Sequence, residues 1–173
     1  MFPLVHPGVA YLCYAIVLHF AGRDVPDDRA TIALVLGSIL PDLIDLPLHA
    51  AFSLPSTRTV GHSLLVAVPV CVIVGLLVRQ TSLPMTVAAG FAVGYTSHLL
   101  ADAFWPLVLG IPDELGFLLW PLTPSPPYVG QKPLIFIGDV AITTLWIELP
   151  LLLVAVVLWW THGRPGLPLL RAD

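Results

Sequence analysis

Residues 94–102 read Gly-Tyr-Thr-Ser-His-Leu-Leu-Ala-Asp, and they lie within an apolar stretch, from about Leu83 to Phe104, that is long enough for a membrane-spanning helix. His98 and Asp102 are four residues apart, which places imidazole and carboxylate on one helix face, about one turn apart. Ionisable side chains inside a membrane segment are energetically unfavourable and usually serve a function. This stretch therefore predicts both an all-α membrane fold and the position of a site within it.

The composition of the whole chain agrees with this fold class. Of its 173 residues, 57% are hydrophobic and 10% are charged, and the mean hydropathy is +0.92, which lies outside the usual range of soluble domains. The length and the lack of an internal repeat predict a single transmembrane domain over residues 1–173. The formal charge of −4 is too small to indicate a nucleic-acid partner.

Five apolar stretches approach the roughly 20 residues needed to cross a bilayer, so we predict a bundle of about five transmembrane helices. Pro41 and Pro47 are expected to kink or end the second helix. Tryptophan prefers the membrane–water boundary, so we predict that the Pro- and Trp-rich residues 105–132 form an interfacial loop and residues 161–173 a short polar tail. The predicted spans are residues 3–22, 30–40, 62–78, 83–104 and 134–160.

The distribution of basic residues predicts the orientation of such a bundle. Arg58 and Lys132 would lie on the side of the N-terminus. The other side would carry Arg23, Arg29, Arg79, Arg164 and Arg171. The positive-inside rule then places this second side in the cytoplasm of a multi-pass protein of the inner or plasma membrane.

Ionisable residues from four segments are expected at the other, extracytoplasmic end. At 1.5 Å per residue, Asp42, His98 and His6 lie about 18, 21 and 24 Å from the opposite ends of their helices. His62 opens the third helix on the same side. This agreement in depth predicts one shared site, independently of the orientation.

A mixture of imidazoles and carboxylates suits zinc, manganese or iron better than calcium. Asp42 and Asp45, three residues apart, share a face if that stretch is helical. A buried histidine in a membrane helix can instead form a hydrogen bond between helices, so the metal site and the packing contact both remain open for each residue. Asp139 and Glu148, on the fifth predicted helix, are weaker candidates. The predicted ligands are His6, Asp42, Asp45, His62, His98 and Asp102.

Four motifs in this order resemble the YdjM-like family of inner-membrane proteins, which are described as metal-dependent hydrolases. They are His6, residues 37–45 (GSILPDLID), residues 58–65 (RTVGHSLL) and residues 94–102 (GYTSHLLAD), and the resemblance extends to about Pro121. The family's third motif usually has His and Thr where this chain has Thr57 and Gly61.

The order of ligands is also similar to that of zinc-dependent phospholipase C and the fungal single-strand nucleases, which hold three zinc ions. Those enzymes continue with further His and acidic ligands, whereas this chain has no His between His98 and His162. The resemblance therefore implies one or two divalent ions, with zinc as the first choice and manganese or iron as alternatives.

The expected function is a membrane-embedded hydrolase acting on a phosphoester or lipid substrate at the membrane surface, with membrane lipids as its surroundings. A bound metal activates water for such a reaction, and Asp45 is the candidate general base. Arg58 is placed to bind a phosphate or to anchor to a headgroup. Two alternatives stay open: a metal or proton transporter, and a non-catalytic membrane protein with a structural metal site.

Overall fold

Helices dominate the computed structural model, which describes residues 3–23, 25–54, 56–126, 135–137, 140–142 and 145–171. The five long helices are α1 (His6–Phe20), α2 (Asp28–Phe52), α3 (Leu64–Arg79), α4 (Met85–Val108) and α5 (Leu145–Thr161). The shorter elements are two 3₁₀ segments (Pro3–Val5 and Pro112–Leu119), two antiparallel strands, β1 (Ile135–Ile137) and β2 (Val140–Ile142), and a C-terminal turn of helix, α6 (Leu167–Leu170).

The predicted helical class is confirmed, and some of the predicted boundaries are wrong. α2 does not end at Pro41 but continues through Pro41 and Pro47 to Phe52. The fifth helix begins at Leu145, and β1 and β2 occupy part of the stretch predicted as its start. The predicted loop over residues 105–132 contains the end of α4 and a 3₁₀ segment; its residues 127–132, like Asp139, lie outside the described residues.

The closest helix packing joins α2 and α4, and glycines make it possible. A Cβ atom on Gly94 would lie 2.1 Å from the carbonyl oxygen of Leu34, and one on Gly90 would lie 2.4 Å from that of Ala30. On α2, a Cβ atom at Gly37 would lie 2.3 Å from the carbonyl oxygen of Phe91. Small residues at such spacing let two backbones approach closely, as they do in membrane bundles.

α4 is the central helix, and α1, α2 and α3 all pack against it, while α5 packs against α1. The outward faces of α3 and α5 are apolar, with side chains such as Val72, Leu76, Leu153 and Val157 about half exposed. A soluble monomer rarely exposes apolar surface of this extent. Hydrocarbon is a suitable surrounding for it.

By length and composition, α2 is the one described helix that is long and apolar enough to cross a membrane. α4 is nearly as long, with 24 residues, but polar residues such as His98 and Asp102 lower its hydropathy. α1, α3 and α5 are apolar and have 15 to 17 residues.

Candidate metal centre

The six predicted ligand residues all lie at one end of the bundle. His6 is the first residue of α1, Asp42 and Asp45 belong to α2, and His98 and Asp102 belong to α4. His62 lies two residues before α3, whose start is capped by Ser63 accepting a hydrogen bond from the backbone N–H of Leu65. The close packing of α2 on α4 thus brings residues that are far apart in sequence to one place.

The imidazole of His62 is fully buried at the centre of this group. Its Nδ1 lies 2.7 Å from a carboxylate oxygen of Asp45, and its Nε2 lies 3.6 Å from Asp42 Oδ1 and 3.3 Å from Asp102 Oδ2. Burial lowers the pKa of His62, but its contacts with Asp102 and Asp45 raise it by more, so that the pKa lies above its ordinary value.

His98 has the same arrangement as His62. Its Nδ1 donates to the carbonyl oxygen of Ser38 at 2.6 Å, because a carbonyl can only accept. Its Nε2 lies 3.0 Å from His62 Nε2 and 3.8 Å from Asp42 Oδ1. Since both Nδ1 atoms donate, the two neutral rings direct Nε2 lone pairs at each other, and such a pair requires a cation, either a proton or a metal.

These contacts define two overlapping groups that could hold a metal ion. One consists of Asp42, His62 and His98, and the other of His6, His98 and Asp102; within each group the ligand atoms lie within 4.8 Å of one another. His6 Nε2 lies 3.3 Å from Asp102 Oδ1, and its ring stacks on that of His98 with centroids 3.9 Å apart. Nitrogen and carboxylate donors in this number fit a divalent transition metal.

Asp45 contacts the site from behind His62. Its two oxygens accept hydrogen bonds from the backbone N–H and the hydroxyl of Thr59, from the N–H groups of Gly61 and His62, and from His62 Nδ1. A carboxylate on the far nitrogen of a ligand histidine fixes its tautomer and its orientation. This geometry does not support the predicted role of Asp45 as ligand or general base, since both oxygens face donors of the protein.

Arg58 contacts the centre through Asp102. Its Nε lies 2.8 Å from Asp102 Oδ2, and its guanidinium lies over the ring of Phe117, 5.5 Å from the centroid. Arg58, expected from sequence to bind a phosphate or to anchor to a headgroup, therefore lies beside a candidate metal ligand. Phe117 also meets the ring of His62 edge-on, at 6.1 Å, and we did not predict its part in the site because nothing in its local sequence distinguishes it.

Two loops, residues 56–63 and residues 120–126, cover this end of the bundle and are hydrogen-bonded to each other. Ser63 Oγ donates to the carbonyl oxygen of Trp120 at 2.6 Å, and Ser125 Oγ donates to that of Arg58 at 2.5 Å. The side chains of His6, His62 and His98 are at most 1% exposed, whereas those of Asp42 and Arg58 are 23% and 17% exposed. The centre therefore opens to its surroundings beside Asp42 and Arg58.

Gly61 stands where the motif it resembles usually has Thr, and the structure gives a reason. A Cβ atom at this position would lie 2.6 Å from the carbonyl oxygen of Pro41 in α2. The carbonyl oxygen of Gly61 accepts a hydrogen bond from the buried hydroxyl of Tyr95 on α4. The segment leading to His62 is thus held tightly between α2 and α4.

Comparison with protein families identifies the chain. The model of the YdjM inner membrane protein family matches residues 1–169, nearly the whole chain. The chain belongs to the YdjM inner membrane protein family. The predicted membership of this family is thereby confirmed, and this YdjM-family chain is a membrane protein with buried His and Asp groups that could hold a metal ion. No curated protein and no solved structure matches it.

Proposed function

We propose that this YdjM-family protein is a metal-dependent hydrolase that acts on a phosphoester or lipid-linked substrate at the membrane surface. The observation that carries the proposal is the convergence of two Nε2 atoms and two carboxylates, each imidazole being held from behind by an acceptor. Ligand histidines in metalloenzymes have this same arrangement. The order of the residues in the chain supports it through the family's motifs.

His62, His98, Asp42 and Asp102 would hold the ion. His6 would contribute a further imidazole in the group that contains His98 and Asp102. His98 belongs to both groups of candidate ligands, which accommodates either one ion or two. The mixed nitrogen and oxygen donors favour zinc, with manganese and iron as alternatives. A divalent ion supplies Lewis acidity, which lowers the pKa of water and polarises a phosphoryl or carbonyl group.

The side chains around the centre have separate roles in this proposal. Asp45 and the carbonyl of Ser38 orient the two imidazoles. Arg58 fixes Asp102 and places a positive charge at the opening, where it favours an anionic substrate. Phe117 and the two covering loops limit the access of water, which strengthens electrostatic interactions at the centre.

We also propose that the five long helices cross the inner membrane with the site on its extracytoplasmic side. The three shorter helices rise by about 22–26 Å, and a bilayer with a hydrocarbon core of about 30 Å thins modestly around such helices. The apolar outer faces of α3 and α5 support this arrangement. The five basic residues predicted for the cytoplasmic side outnumber the two predicted for the other side.

The first experiment measures the metal content of detergent-purified protein by elemental analysis. The wild type is compared with a His98→Ala, Asp102→Ala variant, and a His19→Ala, Asp113→Ala variant serves as the control because both of those residues are exposed and belong to neither candidate metal group. We expect near-stoichiometric zinc, manganese or iron in the wild type and the control, and none in the site variant. A wild type that carries no metal and takes up none when supplied would contradict the proposal.

The second experiment screens the metal-loaded protein against phosphodiester and phospholipid substrates. Hydrolysis by the wild type and the control, and its loss in the site variant, supports the hydrolase. Metal-dependent ion flux across vesicles without hydrolysis would instead support a transporter. A site whose metal raises thermal stability, with neither hydrolysis nor flux, would be structural.

A further inference from the structure

An apolar groove lies between α1, α2 and α5, outside the metal centre. Its volume is about 210 Å³. Gly8 and Tyr11 of α1, Val35 of α2, and Leu152 and Val156 of α5 are among the residues that line it. We propose that this groove binds a hydrocarbon chain of a membrane lipid, and that this lipid is the substrate of the hydrolase; the second half of the inference rests on the proposed function.

The walls of the groove are suited to hydrocarbon because their polar groups already have partners. The hydroxyl of Tyr11 is hydrogen-bonded to His162 Nδ1 at 2.8 Å, and that of Thr31 donates to the carbonyl oxygen of Asp27 at 2.9 Å. Filling the groove with an apolar chain therefore leaves neither hydroxyl without a partner, and an unpartnered buried polar group would be destabilising.

Gly8 lets α5 approach α1 along the floor of the groove. A Cβ atom there would lie 3.1 Å from Leu152 Cδ1 and 3.4 Å from the Cβ of Ala155. Glycine inside a helix costs about 1 kcal/mol relative to alanine. The close approach of α5 explains why a glycine is present at this position beside the groove.

The groove runs from the end of the bundle that holds the metal centre towards the other end. Its wall on α1 includes Pro7, the residue after His6. Val35 lies seven residues before Asp42, on the same face of α2 and about 10 Å away along its axis. Asp42 is the most exposed of the candidate ligands, with 23% of its side chain exposed. A lipid with its chain in the groove thus has its headgroup near the opening of the centre.

Val156 lines the groove and is 47% exposed, so the groove is accessible from the outer surface and a chain can enter it sideways from the bilayer. Its neighbour Val157 is 54% exposed and does not line the groove. Substituting tryptophan for one or the other gives a matched pair. Val156→Trp fills the groove, and Val157→Trp adds the same bulk to the lipid-facing surface.

The experiment uses the full chain in nanodiscs of phosphatidylethanolamine and phosphatidylglycerol, with a phosphatidylglycerol that carries a diazirine on one acyl chain as the probe. After irradiation, labelled peptides are identified by mass spectrometry. We expect several-fold more label at Val35 and Leu152 than at Val72 and Leu76 on the outer face of α3. Val156→Trp should lower the groove label several-fold, and Val157→Trp should not.

Equal labelling of the groove and of α3, or labelling that Val156→Trp does not change, would show surrounding lipid only and would overturn the inference. The measurement needs neither metal nor turnover, so the His98→Ala, Asp102→Ala variant should retain the label even though it lacks hydrolysis. The hydrolase proposal can thus be contradicted while the lipid-binding groove is supported. Equally, the groove can be contradicted while hydrolysis is found. Once a substrate is found, Val156→Trp should raise KM for a long-chain lipid and leave that for a water-soluble headgroup ester unchanged.

Discussion

The two ends of the bundle both contain buried or half-buried polar residues, but these residues are paired in different ways. At the end opposite the metal centre, Tyr11 is paired with His162, and Asp28 accepts a hydrogen bond from the N–H of Gly166 at 2.6 Å. Each of these contacts joins one donor to one acceptor. The first connects α1 to the residue after α5, and the second connects α2 to the residue before α6, so both are structural contacts.

At the end with the candidate metal centre, the acceptor nitrogens of two histidines face each other. His62 and His98 direct Nε2 atoms at each other at 3.0 Å, and oxygens of Asp42 and Asp102 lie 3.3 to 4.0 Å from them. Arg58 pairs with one oxygen of Asp102, but the two facing Nε2 atoms still require a proton or a metal ion between them. Polar residues in a membrane bundle therefore indicate a site when their unshared electron pairs converge, and they indicate packing when each has its own partner.

Among single substitutions outside the proposed ligand set, the largest effect is expected when the carboxylate behind His62 is changed. Asp45→Asn places an amide N–H₂ among the donors of Thr59, Gly61 and His62, so the orientation of the imidazole is lost. Removing the partner of the far nitrogen of a ligand histidine typically weakens metal affinity by about 10- to 100-fold. Competition with a chromophoric chelator measures this loss. Asp113→Asn, the same substitution at an exposed position, should leave the affinity unchanged.

If Asp45→Asn instead abolished hydrolysis with metal affinity intact, Asp45 would be acting in the reaction itself, as the sequence suggested. If the two Asn variants had equal affinity for metal, the carboxylate of Asp45 would not orient His62. Either result would contradict the distinction between residues that bind the metal and residues that orient them.

The sequence predicted the meeting of His6, Asp42, His62 and His98 because helices have a uniform rise, and counting residues is then enough to compare depths. It did not separate Asp42 from Asp45. Both lie on α2 three residues apart, and their different roles depend on the path of residues 59–62, whose backbone N–H groups point at Asp45 alone. Spacing along one helix contains no information on that path.

Pro41 and the start of the fifth helix show a second limit. A proline removes one backbone hydrogen bond from a helix, but α2 continues through Pro41, where its backbone is tightly packed against Gly61. Neighbouring segments commonly make such prolines tolerable in membrane helices. Residues 135–142 read Ile-Phe-Ile-Gly-Asp-Val-Ala-Ile, so the residues of β1 and β2 are rich in β-branched and aromatic side chains and are separated in sequence by Gly-Asp, a hairpin signal that the helix prediction overlooked. Tertiary packing decided the first case, whereas the second could be read from the local sequence.

A smaller effect is expected from adding one methyl group to the segment before His62. Gly61→Ala brings a Cβ atom to 2.6 Å from the carbonyl oxygen of Pro41, so the backbone must shift, at a cost of about 1–3 kcal/mol. Gly75→Ala on α3 is the control, since nothing lies within 4 Å of its added Cβ. It should stabilise the protein by about 0.5–1 kcal/mol.

Thermal unfolding in detergent measures both changes, and chelator competition shows whether the shift reaches His62. Gly61→Ala should lower the thermal stability and the metal affinity together. Stability equal to that of the wild type would mean that the loop before His62 is not held against α2 as described.

The smallest effects should come from removing one hydroxyl at each end of the bundle. Tyr95→Phe takes the donor from the buried carbonyl of Gly61, and Tyr11→Phe takes the partner from half-buried His162. Each should lower the free energy of unfolding by about 1 kcal/mol. Only Tyr95→Phe should also weaken metal binding, because the hydroxyl that it removes holds the residue next to His62. Equal stability losses with unequal metal affinity, measured by thermal unfolding and chelator competition, would show that one end is structural and the other is a metal centre. A loss of affinity in Tyr11→Phe as well would mean that the two ends are coupled through α1, the helix that carries both Tyr11 and His6.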